Sequence, residues 1–384
     1  MKIKAISVTL AMTLAVTGCS LASKPDSQNA GEGTSINGEA TEVGTSENSS
    51  VTETSQNSEE AATAGSTLAA VQKRGEPIID SEGKYVFNPY VGVGLLKGEH
   101  PQEYWDTFYN LVEALREGKD TFECASEDAF NFCYDAALWG EYYPVAAALI
   151  TVNDWDPLSY ENGVGKIRYT IPKDEFLQKE KAFEEDIQSI LDATVKSEYS
   201  DFEKAFYLYD YMSKNFSYDH ELSDSGSEMP EEESMNRFGT YNCLRNKKGI
   251  CSGLAPSYAY LLLQCGVNAI EVEDKGKLCH AWDIVEIDGE LYYSDPTWGL
   301  REEQGGELVL DYFLMSEKER KEDISDHYGV YYYDVRLGND VYMPYTVNGN
   351  KYDFLRGTKF ASIDSDKNVL TYLDSTGNNV EYQY

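Results

Sequence analysis

The segment Lys247–Gly266 reads KKGICSGLAPSYAYLLLQCG, and Cys279–Trp298 reads CHAWDIVEIDGELYYSDPTW. Together they supply Cys251, His280 and Asp295, the residue types of a thiol nucleophile, a base and an orienting carboxylate. In that chemistry the imidazole takes the thiol proton and the thiolate attacks an acyl carbon. The carboxylate holds the imidazole tautomer and stabilises its protonated form. The same residues also read as a small buried thiol, a core histidine and a turn aspartate before Pro296.

For the chemistry to be possible, local elements must bring the three together. Asp288-Gly289 is a two-residue hairpin signal between β-rich arms. If those two residues form the loop, Ile287 faces Glu290 and Asp295 lies opposite Trp282. His280, two residues before Trp282, shares its face. His280 and Asp295 are then diagonal cross-strand neighbours, roughly 7–8 Å apart at the backbone. A loop one residue longer or shorter would put them on opposite faces.

Gly249 and Gly253 flank Cys251, which predicts a tight turn. Leu254, Tyr258, Leu261, Leu262 and Cys265 continue at helical spacing, and Gly266 suits the C-cap. Pro256 fits the first turn, so the regular helix is expected to begin near Ser252 or Gly253. Cys251 then sits at a helix N-terminus, where the dipole favours a thiolate. Cys265, on the apolar stripe, and Cys279, on the strand face opposite His280, read as shielded thiols.

Gly249-Ile250-Cys251-Ser252-Gly253-Leu254-Ala255, His280-Ala281-Trp282 and Asp295-Pro296-Thr297-Trp298 occur in that order. In these motifs the stretch from about Ser200 to Trp298 resembles the transglutaminase-like superfamily, whose fold is papain-like α+β. The upstream LYDYMSKNFSYD resembles the helix preceding that core. The resemblance implies a Cys-His-Asp triad acting on amide bonds through a thioester. Leu254 stands where many relatives have tyrosine, and Asp283 where asparagine is common; neither is a triad position. Animal cross-linking members carry Gln before and Trp after the nucleophile, where this chain has Ile250 and Ser252. Hydrolysis by a peptidase or amidase is therefore expected ahead of protein-glutamine transamidation. The oxyanion donors are expected to be the Cys251 backbone N–H with Tyr241 or Asn242 as second donor. A catalytically silent module binding peptide or glycan through some of the 30 tyrosines is the alternative.

The rest of the chain sets the context. Lys2 and Lys4 precede a short apolar run from Ala5 to Val16, an export signal too short to span a bilayer. Val16-Thr17-Gly18-Cys19 resembles a bacterial lipobox with Cys19 as the lipidated residue. Residues 1–19 are thus expected to be a lipoprotein signal peptide. Residues 20–75, rich in Ser, Thr, Glu and Gly, read as a disordered tether spanning on the order of 40 Å. The predicted location is extracytoplasmic, lipid-anchored to the bacterial cell membrane. Beyond it are expected a mixed, helix-rich region at 76–195, the transglutaminase-like core at 196–315 and a β-rich segment at 316–384.

In the helix-rich region, PQEYWDTFYNLVEALREG and KDEFLQKEKAFEEDIQSILDATV carry helical stripes, and GVGKIRYTIP alternates like a strand. Ser200 and Glu203 form a capping box ahead of the stripe Phe202, Ala205, Phe206, Tyr209 and Met212. The acidic segment Glu221–Glu233 is expected to be a surface loop. LVLDYFLMSEKERKED predicts a strand and then a short helix capped by Ser316. Asn348-Gly349 predicts a hairpin turn, and a second hairpin follows it.

The formal net charge is −35, from 67 acidic and 32 basic residues. A phosphate-neutralising face is missing, so nucleic acid is excluded as a partner, and the membrane is reached through the lipid alone. No CxxC pair occurs among the seven cysteines, which gives zinc little support, and no cofactor is expected. Asp364, Asp366 and Asn368 begin an EF-hand spacing, but Val369 and Ser375 stand where glycine and glutamate are required. No carboxylate pair stands out among the 67 acids for a glycosidase.

Overall fold

The helix that begins at Cys251 is apolar on every side, and such a helix has to be enclosed. In the computed structural model it runs Cys251–Gln264, and every residue of it except Ser252 is buried. The structure describes residues 74–384 apart from 93, 95–99, 134–141, 151–157, 226–228, 231–232, 234–235, 275–279, 329–334, 337–341 and 344–346. The expected signal peptide, the lipidated Cys19, nearly all of the tether and Cys279 lie outside the described residues. Lys73–Tyr384 falls within one compact unit, so the expected divisions at 195/196 and 315/316 lie inside it. Buried residues from Tyr85 to Tyr372 join in one core cluster.

The region before residue 200 is a shell of helices with two small sheets. Strands β1 (Ile78–Ile79) and β2 (Tyr85–Val86) pair antiparallel. A second sheet sets β5 (Val164–Ile167) between β3 (Thr121–Glu123) and β4 (Leu158–Glu161). The helices are α1 (Gln102–Arg116), α2 (Glu127–Cys133), α3 (Pro144–Ile150) and α4 (Lys173–Thr194). Both long helices follow the stripes read from the sequence. Next comes α5 (Asp201–Asn215), with the Ser200–Glu203 capping box formed. Its Phe202, Phe206, Tyr209 and Met212 are buried.

Strand β6 (Ser217–Tyr218) then runs parallel to β7 (Lys248–Gly249), with the short helix α6 (His220–Ser225) and α7 (Gly239–Asn246) between them. The pairing draws the chain just before Cys251 against the end of α5. The central helix, α8 (Cys251–Gln264), packs on α5, on α7 and on a three-stranded sheet. The Tyr258 hydroxyl donates to the Ala205 carbonyl of α5 at 2.9 Å. At its far end, Gln264 exchanges two hydrogen bonds with the Asn88 backbone, at 2.7 and 2.9 Å.

The sheet has the order β10–β9–β8, from β8 (Ala269–Asp274), β9 (His280–Ile287) and β10 (Glu290–Ser294). Ile287 pairs with Glu290, and the register runs to Asp283 opposite Ser294. Asp288 and Gly289 have φ of 54° and 80°, the two positive values of a type I′ loop. The two-residue turn expected from the sequence is therefore present.

After β10 come α9 (Glu317–Tyr328), the pair β11 (Val335–Arg336) and β12 (Tyr342–Met343), and a meander of β13 (Lys359–Asp364), β14 (Val369–Leu373) and β15 (Asn379–Gln383).

Several expectations change. Helix α8 starts at Cys251, so Pro256 lies in the second turn, where its missing N–H leaves the Ser252 carbonyl without an i+4 donor. Gly249 and Gly253 serve close approach to α7 rather than a tight turn. A Cβ at 249 would lie 2.9 Å from Cys243 Sγ, and one at 253 would lie 3.2 Å from Cys243 Cβ. Part of the expected acidic loop is α6, whose first turn is capped by Asp219 through Leu222 N–H at 3.2 Å. Residues 308–315 form isolated bridges, Val309 to Lys359 and Met315 to Tyr293, instead of a strand. Asn348-Gly349 is not a turn: Asn348 Oδ1 accepts from Leu291 N–H at 2.8 Å, and Gly349 N–H donates to Leu291 O at 2.9 Å. The pair extends the edge of β10, and a Cβ at Gly349 would strike the Tyr292 ring at 2.2 Å.

Gly289→Ala isolates the cost of the left-handed turn position, because its Cβ would meet nothing within 4 Å. It is expected to lower stability by roughly 1 kcal/mol, read as a lower urea midpoint at unchanged slope.

Candidate active site

The hairpin decides where His280 and Asp295 go. His280 opens β9, and Asp295 follows the last residue of β10. Their side chains meet: His280 Nε2 lies 2.7 Å from Asp295 Oδ2. An ionised carboxylate can only accept, so Nε2 carries the proton and Nδ1 is left as the imidazole's basic nitrogen.

Asp295 is completely buried, so its charge has to be compensated. Its Oδ1 accepts from the backbone N–H of Thr297 at 3.1 Å and of Trp298 at 3.0 Å. Its Oδ2 accepts from His280 and also from Arg320 Nη2 at 3.0 Å. Burial pushes the carboxyl upward, but the charges of His280 and Arg320 and the hydrogen bonds to it outweigh that push and hold it below its usual value. Its main chain is fixed as well. Asp295 N–H donates to Tyr312 O at 2.8 Å, and the Tyr209 hydroxyl of α5 donates to Asp295 O at 3.1 Å. Gly299 makes room for that tyrosine, since a Cβ there would lie 2.0 Å from its hydroxyl.

Two indoles frame the ion cluster. Trp298 stacks on the His280 ring at 4.6 Å and 12°, and Trp282 lies 5.9 Å from it at 28°. The Arg320 guanidinium sits over both, 4.2 Å from the Trp282 ring and 4.6 Å from that of Trp298. Arg320, four residues into α9, is wholly buried. Sequence reading missed it: SEKERKED is a charged run, which ordinarily marks a solvated helix face. No apolar periodicity there singles out one buried position.

Cys251 is the first residue of α8, with Ile250 as N-cap. Its side chain clusters with Ala255, one turn on, and with Ala281, the residue after His280 on β9. Helix α8 packs along β9, which sets the cysteine's turn beside the strand that carries the histidine. Cys251 is 5% exposed and His280 8%, a small opening to solvent. Among the described residues the other thiols, Cys124, Cys133, Cys243 and Cys265, are disfavoured as nucleophiles by burial. Burial pushes Cys243 and Cys265 up to about 12 and Cys124 up to about 11. Cys265 Sγ also donates to Leu262 O at 3.2 Å.

Tyr241 and Asn242, the two expected candidates for the second oxyanion donor, both lie on α7. The Tyr241 ring packs on Phe183 of α4 at 5.5 Å. Asn242 Nδ2 donates to Phe238 O at 2.9 Å.

Residues 186–300 match the family model of a transglutaminase-like domain. The matched span takes in α5, α8 and the β8–β10 sheet, and with them Cys251, His280 and Asp295. It ends before Arg320. No curated protein matches the chain. A solved structure described as the crystal structure of a TGase is 16% identical, with a TM-score of 0.27. The match covers 36% of this chain and 43% of that one, so this chain spans less than half of its length. At that score the likeness carries no weight. Among the described residues no helix is long and apolar enough to cross a membrane, and no group of acidic, histidine and cysteine side chains could hold a metal.

Asp295→Ala leaves Arg320 buried beside an empty acceptor position, and removing one partner of a buried pair costs about 3–5 kcal/mol. That loss should appear in chemical unfolding. The pH dependence has a definite sign. Because the folded carboxyl lies below the usual 3.8, its contribution is complete above that value and disappears as pH falls through the depressed one. The stability advantage of the natural chain over Asp295→Asn should therefore be flat near neutrality and shrink below about pH 4.

Proposed function

We propose that the chain is a thiol enzyme acting on amide bonds of peptides or proteins, with Cys251 as nucleophile, His280 as base and then acid, and Asp295 as orienter. The observation that carries this reading is the buried 2.7 Å bond between His280 Nε2 and Asp295 Oδ2. It lies at the end of the strand against which the helix starting at Cys251 packs. The transglutaminase-like match over 186–300 supports the same class of chemistry.

In the first half-reaction His280 Nδ1 takes the Cys251 proton and the sulfur attacks the carboxamide carbon. The S–C bond forms as the carbonyl π pair moves onto oxygen. The Cys251 backbone N–H, one of the first four of α8 and so without an intrahelical acceptor, meets that oxyanion. Collapse breaks the C–N bond, and the imidazolium gives its proton to the departing ammonia or amine. Water then attacks the thioester, yields its proton to His280, and releases the acid with the thiol restored. A lysine amine in place of water gives transamidation. Hydrolysis is the favoured outcome, because Ile250 and Ser252 flank Cys251 where cross-linking relatives have Gln and Trp. The enzyme works outside the cell, held to the membrane by lipid on Cys19, as the Val16–Cys19 run suggests.

Limiting iodoacetamide near neutral pH should alkylate Cys251 before Cys243 and Cys265. His280→Ala should slow that labelling and lower kcat/KM by on the order of 10²-fold or more. Equal labelling of the three thiols, or no effect of His280→Ala, would favour the silent peptide- or glycan-binding module. Mass spectrometry of peptide and amide libraries, with and without added amine, should show new carboxyl groups rather than amine adducts.

A fatty-acid probe fed to cells should tag the natural chain and not Cys19→Ala. A tag that survives the substitution removes the lipid anchor from the proposal.

A further inference from the structure

Arg320 is the buried charge that the thiol chemistry above does not use. It donates to Asp295 Oδ2, the oxygen that also receives His280 Nε2. Two donors on one oxygen divide the attraction of a single negative charge. The guanidinium is also planar and lies over the rings of Trp282 and Trp298, which narrows its approach to the carboxylate. Trp298 in turn stacks on the imidazole. Arginine, carboxylate, imidazole and indoles therefore form one rigid assembly.

We infer that Arg320 is a positioning residue of this site: through Asp295 it fixes the imidazole and, by sharing the carboxylate, keeps the ring free to accept a proton. The inference rests on the thiol reading for its role in turnover, but its effect on His280 stands apart from whether Cys251 reacts. The sign follows from charge. A cation bonded to the same carboxylate disfavours imidazolium, so replacing it with a neutral group raises the pH at which His280 loses its proton. Cys251 lies at the head of α8, beside Ala281, the residue after His280, and the backbone of Asp274 on β8 pairs with that of His280. Asp283 lies buried further along β9, and the Tyr209 hydroxyl sits on the Asp295 carbonyl. None of these is altered in the comparison below except Cys251, which is removed throughout so that no thiol titrates against the ring.

The test is an NMR titration of the His280 imidazole in Cys251→Ala, alone and combined with Arg320→Gln, Arg320→Met or Arg320→Lys. His280 is one of four histidines, so its signal is assigned by its loss in His280→Gln. The two neutral variants should raise the His280 midpoint by about one pH unit. The lysine variant should hold the midpoint near the starting value, because the charge remains. All three should speed exchange of the Nε2 proton with water by about tenfold or more, because the planar contact is lost. In the Asp295→Asn background, Arg320→Gln should move the midpoint less, since only the direct repulsion between the two cations remains once the shared carboxylate is gone.

A folded neutral variant with an unmoved midpoint, or an equal shift with and without Asp295, overturns the inference. If neither neutral variant folds, the lysine variant decides, and unchanged Nε2 proton exchange there overturns it. An unreactive Cys251 in the natural chain would sink the enzyme reading and leave these His280 results intact.

Discussion

One carboxylate constrains the whole site. Asp295 is wholly buried, and an ionised group so placed persists only where donors and opposite charge surround it. Those partners come from three directions: a strand end (His280), its own turn (the N–H groups of Thr297 and Trp298) and α9 (Arg320), while from α5 the Tyr209 hydroxyl holds its backbone carbonyl. Each belongs to a different part of the core, so the parts have to be assembled before the charge is satisfied. A residue within the matched transglutaminase-like span is in this way tied to a residue beyond it, and residues 196–315 do not close the site alone.

The geometry on which the proposed acyl chemistry rests arises from the same constraint. The imidazole is bonded on one nitrogen, stacked by an indole and set beside the helix whose first residue is a cysteine. Little freedom remains to the ring, and a base held in place transfers a proton with little reorganisation. The central helix contributes in another way. Being buried on all sides, it cannot slide or tilt without opening the core, so its N-terminal residue is as fixed as the sheet.

Much of this was legible in the sequence because it is local. The Asp288-Gly289 turn sets a register, and a register sets faces. The placement of His280 beside Asp295 therefore followed from counting, and the two meet at hydrogen-bonding distance. The capping box at Ser200 and Glu203 and the stripes of α1 and α4 are local in the same sense. Other features depend on what lies across the gap. Gly249 and Gly253 read as turn glycines, but their reason is Cys243 on another helix. Asn348-Gly349 carries a strong turn signal, yet the edge of β10 offered Leu291 as a backbone partner and won. Arg320 is hidden among Glu and Lys because the indoles that enclose it lie far away in sequence.

The close approach at Cys243 has a mechanical consequence. With no side chain at 249 or 253, nothing soft lies between α7 and the turn that carries Cys251; backbone meets the Cys243 side chain directly. Such a contact transmits displacement instead of absorbing it. Helix α7 is itself tethered to α4, where Arg245 bonds both Asp186 and the Ala182 carbonyl. A sub-ångström shift at that outer surface would therefore reach the cysteine as a rigid push. The helical shell thus acts as the mount of the first turn of α8 and sets where the Cys251 side chain begins.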